Sequence, residues 1–409
     1  MIDTRVIEDP EEARAWVPRW RELLGRAASP EPVLTPLWVL TWWDVFGGVG
    51  GRAMRLVAFI EGGELVGLAP FVARRTLYRG AIPFRRLELM GTGEDEADEV
   101  CSDYGGVLAV RGYEARVCDT LARALTRGEL GEWDEVVVAN MNGEHEAKQS
   151  RGLRDAIAAV GAKAALERAG ECPFIPLPPS WDDYLGQLDG PRRYGVRRSL
   201  RDLEAWAGAG GYALTRASNA RELHAGLRTL SALHGERWED AGRPGAFASE
   251  RFLRFHEAVM PALLGGTDGG LDLLSLVVRG EPVAALYNIV YRGKVYFYQS
   301  GRKVDVPKRV KPGVAIHALA VERAIVAQYR EYDFLNGASR YKRELSLASR
   351  PLVTLRAVAP TVRARSVEAA REVAEAAATR IRALRRSAPG RSVIAAVRGA
   401  AGTPGSSPP

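Results

Sequence analysis

The residues best suited to bind an anion stand in one short run that opens a helical pattern. Lys311-Pro312-Gly313-Val314-Ala315 follows Lys308 and Arg309. The first N–H groups of a helix lack partners inside it, and a glycine there lets an anion approach the backbone closely. The run therefore predicts a phosphate-binding site at Lys311, Gly313, Val314 and Ala315. A basic loop that only caps a core helix would carry the same residues, so that alternative stays open.

Polar side chains that could move a proton follow this helical pattern. Asp333 lies in an apolar strand-like run, and Tyr341 and Lys342 come soon after it. General acid–base chemistry needs a base and an acid close to the reacting atoms. Burial would raise the pKa of Asp333 and suit it to base chemistry, unless Lys342 or an arginine pairs with it. Tyr341 is the candidate acid or a substrate-orienting residue.

A meander, a loop, a helix and a strand must position these groups. Three apolar runs, Leu271–Arg279, Glu281–Tyr291 and Lys294–Ser300, are separated by Arg-Gly turns, which predicts antiparallel strands. The pattern of Gly313–Tyr329 predicts a helix, and Glu331–Leu335 a short strand. Further helices are predicted at Glu11–Arg26, Thr35–Phe46, Gly112–Arg127, Trp181–Ala207, His224–Ala241 and Ala248–Leu264.

The first part of the chain repeats some of this order. Strands are predicted at Met54–Ile60 and Glu64–Arg74, around the turn Glu61-Gly62-Gly63, and then at Arg85–Met90 and Glu135–Asn140. The run from Gly63 to Ala69 recurs as Gly280 to Leu286, each at a hairpin turn before a strand. This recurrence favours an internal duplication over independent use of the same turn chemistry. We expect a mixed α/β fold in two related halves.

A proline-rich segment suggests where the halves meet. Cys172–Trp181 holds four prolines in ten residues, so we expect it to leave the sheet. The predicted domains are residues 1–171, 172–360 and a tail, 361–409. The tail combines a basic helix, Arg363–Arg386, with a disordered end rich in Gly, Ser and Pro. That helix is expected to be solvated, or else to touch an anionic surface or a partner.

The distribution of charge and the spacing of the cysteines argue against several classes of protein. Nine arginines and three glutamates after residue 360 account for six of the seven formal positive charges, so the rest is nearly neutral. This argues against nucleic-acid binding, and the basic helix face at Arg192–Arg201 is expected to be solvated or to contact an anionic acceptor. Three cysteines without metal-ligand spacing, and an acidic N-terminus unlike a signal peptide, predict a cytoplasmic protein. We predict no metal, since His145, His224 and His317 lack ligand spacing.

The combination of YFYQSG, KPG, YDFLNG and YK within Lys294–Lys342 resembles the acyl-CoA binding core of the GNAT superfamily. More narrowly, it is similar to the CelD/BcsL-type acetyltransferases, which in turn resemble the Fem-type peptidyltransferases. The resemblance covers residues 180–345 well. It departs from the usual Gln/Arg-x-x-Gly-x-Gly/Ala run, which would need Gln or Arg at Val310, and Pro312 has no N–H to donate.

The resemblance implies roles for several residues. Acetyl-CoA, or another acyl-CoA, would lie between two strands that part from each other, here Tyr296–Gln299 and Glu331–Leu335. A backbone N–H near Tyr298 or Gln299 would polarise the thioester carbonyl. His234, Arg237 and Trp238 belong to a run seen in the family and would face the acceptor. Arg237 would hold a substrate anion there, or it would form a surface salt bridge with Glu236 or Asp240.

Three functions are compatible with this pattern. The first is an acyl-CoA-dependent N-acyltransferase that acetylates an amine of a sugar or cell-envelope precursor by direct attack in a ternary complex. In the second, taken from the Fem-type resemblance, an aminoacyl-tRNA replaces CoA as the donor. The third is a GNAT-like module without catalysis in a polysaccharide system. The first is our expectation, with Asp333, Tyr341 and Tyr298 as catalytic residues and Lys342 as a substrate contact.

Overall fold

The computed structural model of the protein describes residues 1–78, 81–144, 148–208, 210–337 and 339–387. Within these residues, groups of strands and groups of helices follow one another. In order they are β1 (Asp3–Ile7), α1 (Pro10–Ala15), α2 (Val17–Arg26), α3 (Pro36–Phe46), β2 (Ala53–Glu61), β3 (Glu64–Tyr78), β4 (Ile82–Leu89), β5 (Leu108–Ala109), α4 (Glu114–Thr126), β6 (Glu135–Asn142), α5 (Lys148–Ala159), β7 (Lys163–Pro176), α6 (Trp181–Gln187), α7 (Gly190–Ala207), β8 (Tyr212–Arg216), α8 (Ala220–Asp240), α9 (Glu250–Leu264), β9 (Gly270–Val278), β10 (Glu281–Tyr291), β11 (Lys294–Arg302), α10 (Pro312–Val326), β12 (Glu331–Asp333), α11 (Arg340–Leu345), β13 (Ala348–Val358) and α12 (Val362–Ser387).

One mixed sheet of thirteen strands runs through both halves of the molecule. Its order is β1-β2-β3-β4-β6-β13-β7-β12-β11-β10-β9-β8, and β5 pairs with β3 outside this path. Two pairs are parallel, β4 with β6 and β11 with β12. Parallel neighbours need a crossover, and α4 and α10 supply it in the first and second half. The expected mixed α/β fold with two related halves is confirmed.

The two halves exchange one strand each at the centre of the sheet. Strand β7, at the end of the first half, pairs with β12 of the second half. Strand β13, at the end of the second half, pairs with β6 of the first. The exchanged strands also pair with each other, from Ala348 opposite Phe174 to Val358 opposite Lys163. Each half therefore depends on the other for a central strand.

The first part of the proline-rich segment lies inside the sheet, so the expectation that the segment leaves the sheet is wrong for residues 172–176. Residues 172–176 form the last part of β7. Proline cannot donate a backbone hydrogen bond, but the two prolines sit where a strand partner has already ended. Pro176 lies beyond the start of β13, which begins opposite Phe174, and Pro173 lies opposite Phe334, just after β12. The expected boundary at 171/172 thus falls within a shared strand.

Two predicted helices are each divided in the structure. The helix expected at Glu11–Arg26 breaks at Trp16 into α1 and α2. The helix expected at Trp181–Ala207 breaks before Asp189, whose side chain caps α7 by accepting from the N–H of Arg192. Several elements were not predicted: β1, α5, β7, β8, α11 and β13.

Apolar packing joins the two halves across the sheet. Trp38 of α3 packs edge-on against Phe255 of α9, with ring centroids 4.8 Å apart.

Helix α12 has nearly the bounds that were predicted for it, Arg363–Arg386. The ion pair between Arg356 and Glu368, at 2.6 Å, connects α12 to β13. The predicted disordered end lies outside the described residues. In the described ranges no helix has an apolar stretch long enough to cross a membrane.

Candidate active site

A cleft of about 300 Å³ opens at the N-terminus of α10, and we call it the α10 cleft. It is lined by the end of β11, the loop before α10, and side chains of α8 and α11. Its lining residues are Arg237, Ser300, Gly301, Arg302, Val310, Lys311, Pro312, Gly313, Val314, Ile316, His317 and Tyr341. Three of them are cations, none is acidic, and Arg237, Arg302 and Lys311 form no ion pair with a described residue. The α10 cleft is therefore suited to an anionic ligand.

The α10 cleft lies where two parallel strands part. Strands β11 and β12 pair only from Lys294 opposite Glu331 to Tyr296 opposite Asp333. Strand β12 ends there, whereas β11 continues to Arg302. A bulge in β11 also leaves Tyr298 without a partner in the register with β10. Beyond Tyr296 the two strands thus no longer pair with each other, and we call this region of parted strands the strand gap.

The N-terminus of α10 offers fewer free donors than its sequence suggested. The N–H groups of Val314 and Ala315 both bond to the carbonyl oxygen of Lys311, at 3.1 and 3.0 Å. Pro312 has no N–H, and Ala315 is fully buried. In the described hydrogen bonds, the N–H of Gly313 has no acceptor. An anion would therefore meet the Gly313 N–H with the side chains of Lys311 and Arg302, rather than a cradle of four residues.

His317 and Tyr341 form the inner wall of the α10 cleft. Their rings stack with centroids 5.1 Å apart, and the Nδ1 of His317 lies 3.2 Å from the hydroxyl oxygen of Tyr332. Burial lowers the pKa of His317 to about 3, so the imidazole is neutral near pH 7. Burial raises the pKa of Tyr341, with nearby Arg237 opposing it, so the phenol keeps its proton. Sequence reasoning missed His317, although its position one turn after Gly313 places both on one helix face.

Helix α8 is fixed to the end of β11 by His234. Its Nε2 accepts from the N–H of Ala246 at 3.1 Å, so the hydrogen is on Nδ1, which donates to the carbonyl oxygen of Ser300 at 2.8 Å. Burial lowers the pKa of His234. A Cβ at Gly301 would lie 2.5 Å from the backbone nitrogen of His234, so α8 crosses β11 where only glycine leaves room. His234 holds the cleft wall but does not line it.

Arg237 lines the α10 cleft, whereas Trp238 does not. The guanidinium of Arg237 donates to the Ser300 hydroxyl at 3.3 Å and lies 5.4 Å from the ring centroid of Trp238. The surface salt bridge considered for Arg237 is absent from the described ion pairs. Trp238 therefore supports the arginine rather than a ligand directly.

Asp333 lies outside the α10 cleft, in a buried network between the halves. Its carboxylate accepts from the Tyr104 hydroxyl at 2.7 Å and from Arg350 at 3.1 Å, and it is 0% exposed. Burial raises the pKa of Asp333, and Arg350 opposes this shift. The alternative in which an arginine pairs with Asp333 is the one observed. This position does not suit a base that must reach a substrate.

Tyr298 and Gln299 also lie outside the α10 cleft. The Tyr298 hydroxyl donates to the carbonyl oxygen of Val100 and lies 3.0 Å from the Nε2 of His256, in the core between the halves. Gln299 is partly exposed. Their backbone groups flank the bulge of β11 at the strand gap. We therefore expect these two residues to contact an acyl donor through the main chain rather than through their side chains.

Lys342 sits at the end of β12 and bonds to backbone oxygen atoms. Its Nζ donates to the carbonyl oxygens of Phe334 at 2.7 Å, Leu335 at 3.4 Å and Asn336 at 2.7 Å. An ammonium group has three N–H bonds, and all three are used. Lys342 thus has no donor left for a substrate, contrary to the expectation of a substrate contact.

Two carboxyl groups of the first half, on the loop Gly91–Asp103, approach the same region. Asp103 accepts from the N–H of Asn336 at 2.7 Å, and burial raises its pKa to about 7. Glu94 accepts from the indole N–H of Trp42, and its other oxygen is buried without a partner in the described structure. Burial raises the pKa of Glu94 to about 7. Their acidic loop gave no distinctive sequence signal, because long-range contacts create the burial.

Residues 191–343 match the family model of an acetyltransferase (GNAT) domain. The match includes every residue that lines the α10 cleft, as well as both strands of the strand gap. Residues 191–343 are therefore similar to a GNAT domain, and we call this part of the second half the GNAT domain. The comparison with curated proteins finds no match.

The fold around the GNAT domain is shared with solved structures over most of their length. A crystal structure of FemX aligns with a TM-score of 0.58 at 10% identity, covering 88% of this chain and 98% of FemX. The C-terminal domain of a putative lysylphosphatidylglycerol synthetase from Agrobacterium fabrum aligns with a TM-score of 0.50 at 11% identity, covering 88% of this chain and 95% of that one. At these identities the likeness shows the fold, with both halves included.

The first half lacks the features that make the GNAT domain attractive to an anion. Where β4 and β6 stop pairing, the N–H of Tyr104 bonds to the carbonyl oxygen of Asn140 at 2.8 Å, so the chain itself enters the space between them. The loop after β4 is acidic, whereas the loop after β11 is basic. Anionic donors therefore have a suitable site in the GNAT domain and not at the equivalent place of the first half.

Proposed function

We propose that the GNAT domain transfers an acyl group from an acyl-CoA, such as acetyl-CoA, to an amine. The supporting observation is that the α10 cleft is lined by the end of β11, the strand that continues past its last pair with β12. Cations and one free helix N–H gather at the mouth, while the gap offers backbone groups farther in. A ligand with phosphates at one end and an acyl thioester at the other fits this gradient of polarity. In this proposal residues 1–171 are structural and residues 172–360 carry the chemistry.

The reaction requires no covalent intermediate on the protein. The amine nitrogen attacks the acyl carbon, the C–S bond breaks, and the thiolate of CoA takes up a proton. Lys311, Arg302 and the Gly313 N–H hold the phosphates, and backbone N–H groups beside Tyr298 and Gln299 stabilise the oxyanion. Tyr341, protonated and at the inner wall, supplies the proton to the thiolate, and the proton that the amine loses converts the resulting tyrosinate back to the phenol. Asp333 contributes only by fixing the end of β12.

The identity of the acceptor is inferred from the sequence resemblance. We propose an amine on a sugar or cell-envelope precursor, as in the CelD/BcsL-type enzymes, and action in the cytoplasm. A panel of amino sugars, amino acids and polyamines with radiolabelled acetyl-CoA tests it. Transfer of label to amino sugars is expected, and transfer confined to polyamines would contradict it.

Donor binding can be tested without knowing the acceptor. Acetyl-CoA and CoA should raise the melting temperature of the protein, because they bind only the folded state. Gly313→Glu should abolish this increase by placing a carboxylate beside Lys311. Gly152→Glu in α5 is a matched control, since both glycines lie in helices and a Cβ at 152 meets nothing within 4 Å. An unchanged melting temperature of the wild type at saturating acyl-CoA would contradict the proposal.

A second donor, an aminoacyl-tRNA, is favoured by one feature of the surface. Helix α7 presents the exposed arginines Arg197, Arg198 and Arg201, and it adjoins α10, with the Ser199 hydroxyl 3.5 Å from the carbonyl oxygen of Lys311. A polyanion that entered the α10 cleft would pass this face. Binding of tRNA that weakens steeply with salt, together with aminoacyl transfer, would support this donor over CoA.

A further inference from the structure

The ammonium group of Lys342 lies between the two strands of the strand gap. On one side it meets the three carbonyl oxygens at the end of β12, and on the other it lies 5.5 Å from the ring centroid of Phe297 on β11. A charge removed from water must have polar partners. Here the partners are backbone oxygens, so the charge fixes the path of the chain just after β12.

The carbonyl oxygen of Phe334 is available to Lys342 because of a proline in the neighbouring strand. The N–H of Phe334 bonds to the carbonyl oxygen of Pro173 at 2.9 Å, which places the two residues opposite each other in an antiparallel ladder. In such a pair the second bond would run from the N–H of residue 173 to the Phe334 oxygen. Proline has no N–H. The exchanged strand β7 thus leaves this oxygen to the lysine.

The chain turns sharply at the same point. Leu335 adopts a φ of 55°, a left-handed conformation that is unfavourable for a leucine. Two contacts support it: the Leu335 N–H bonds to the Asp333 carboxylate at 2.7 Å, and the Asn336 N–H bonds to Asp103. Lys342 therefore completes a turn that carries the chain out of line with β11.

We propose that Lys342 is a positioning residue, which holds the end of β12 away from β11 and so keeps the strand gap open. This rests on the proposed function, because the gap is where the acyl group would lie. Lys342 acts through the backbone of Phe334, Leu335 and Asn336 and touches neither donor nor acceptor. The first half also contributes to the turn after β12, because it supplies Pro173 and Asp103.

The variants Lys342→Met and Lys342→Arg test the proposal with acetyl-CoA and the amine panel. Lys342→Met should lower kcat at least 100-fold and leave the Kd for CoA within threefold, because the phosphates are held at Lys311 and Gly313. Lys342→Arg, which keeps the charge, should restore at least a tenth of the wild-type kcat. A kcat of Lys342→Met within threefold of wild type would overturn the proposal. So would parallel loss of kcat, CoA affinity and folded fraction, which indicates a general structural role.

Pro173→Ala provides a second test that leaves Lys342 in place. The new N–H faces the Phe334 oxygen and competes for it, so kcat should fall while CoA affinity is kept. Wild-type kcat in this variant would show that the oxygen's partner is immaterial and would overturn the proposal.

Amide hydrogen exchange separates this inference from the proposed function. In Lys342→Met, exchange at residues 296–300 should slow as β11 gains pairing with the end of β12. Faster exchange there would refute the inference. A wild type that transfers no acyl group from any CoA thioester would instead contradict the proposed function, and the exchange result would still decide the role of Lys342.

Discussion

Arg350 and Asp333 form a buried ion pair at the centre of the sheet, with the guanidinium 3.1 Å from the carboxylate. Arg350 lies on the exchanged strand β13 and Asp333 on β12, the strand that ends at the strand gap. The same guanidinium bonds to Glu331 at 2.8 Å and stacks on Phe174 at 3.8 Å from the ring centroid. The two halves of the molecule are thus joined electrostatically beside the candidate active site.

Arg350→Met should destabilise the protein strongly, by about 3–5 kcal/mol in the free energy of unfolding, because it leaves the buried carboxylate of Asp333 without its arginine partner. Asp333→Asn should cost less, since the amide can still accept from the Tyr104 hydroxyl. Urea unfolding measures both. If Asp333 only fixes the strand, Asp333→Asn will keep kcat within about tenfold of wild type; a much larger loss of activity in a stable variant would restore it as a candidate base.

Gly301→Ala should disrupt the wall of the α10 cleft. The added Cβ would lie 2.5 Å from the backbone nitrogen of His234, and α8 would have to move, which costs about 1–3 kcal/mol. Gly235→Ala, in α8 and with no heavy atom within 4 Å of its Cβ, is the control and should be neutral or stabilising. Denaturant unfolding distinguishes them. Equal stability of the two variants would mean that α8 adjusts freely.

Glu94 should contribute less to the stability of the fold as the pH rises from about 5 to 7.5. Its pKa in the folded protein is about 7, above the value of 4.5 for a solvated glutamate, so between these values the folded state holds a proton that the unfolded state has lost. Protonated Glu94 therefore favours folding below pH 5, and this contribution is lost as the pH passes 7.

Glu94→Gln isolates that contribution. In matched buffers, the melting temperature of the variant should be higher than that of the wild type at pH 7.5 and similar to it at pH 4.5. Glu64→Gln, at an exposed position, serves as the control. A stability difference that does not change with pH would contradict the assignment.

Separating the halves should prevent both from folding. A fragment of residues 1–180 lacks β13, and a fragment of residues 181–409 lacks β7, so each would expose the edges of a central gap in its sheet. Coexpression should restore a folded complex that melts cooperatively, measured by circular dichroism after copurification. A fragment 181–409 that folds and binds CoA alone would contradict this dependence.

Local sequence was sufficient for β11, the basic loop and α10, which form most of the α10 cleft, but it did not predict α11. The Arg-Gly turns and alternating apolar residues of β9 to β11, and the periodic pattern after Lys311, depend on neighbours along the chain. Arg237, Lys311, Gly313, Val314 and Tyr341 do line the cleft. Their charges and short-range spacing carried enough information, since a helix terminus and its flanking basic loop act over a few residues.

Other positions could not be foreseen because their partners are far away in sequence. Asp333 meets Tyr104 and Arg350, and Tyr298 meets Val100, through contacts between the halves. Proline propensity argued against a strand at residues 172–176, yet the ends of β12 and β13 make the missing N–H groups harmless. The strand propensity of a residue contains no information about where a neighbouring strand ends.

The sequence by itself determined that the protein has a mixed α/β fold with a basic helix terminus in its second half, because hydrophobic periodicity, turn residues and local charge specify such features directly. Only the tertiary structure decided which polar groups face the cleft, that the halves exchange β7 and β13, and that Lys342 bonds to backbone oxygens rather than to a ligand. The first two outcomes depend on burial and on pairing between strands far apart in the chain, and the third depends on the turn after β12. No local sequence pattern encodes them.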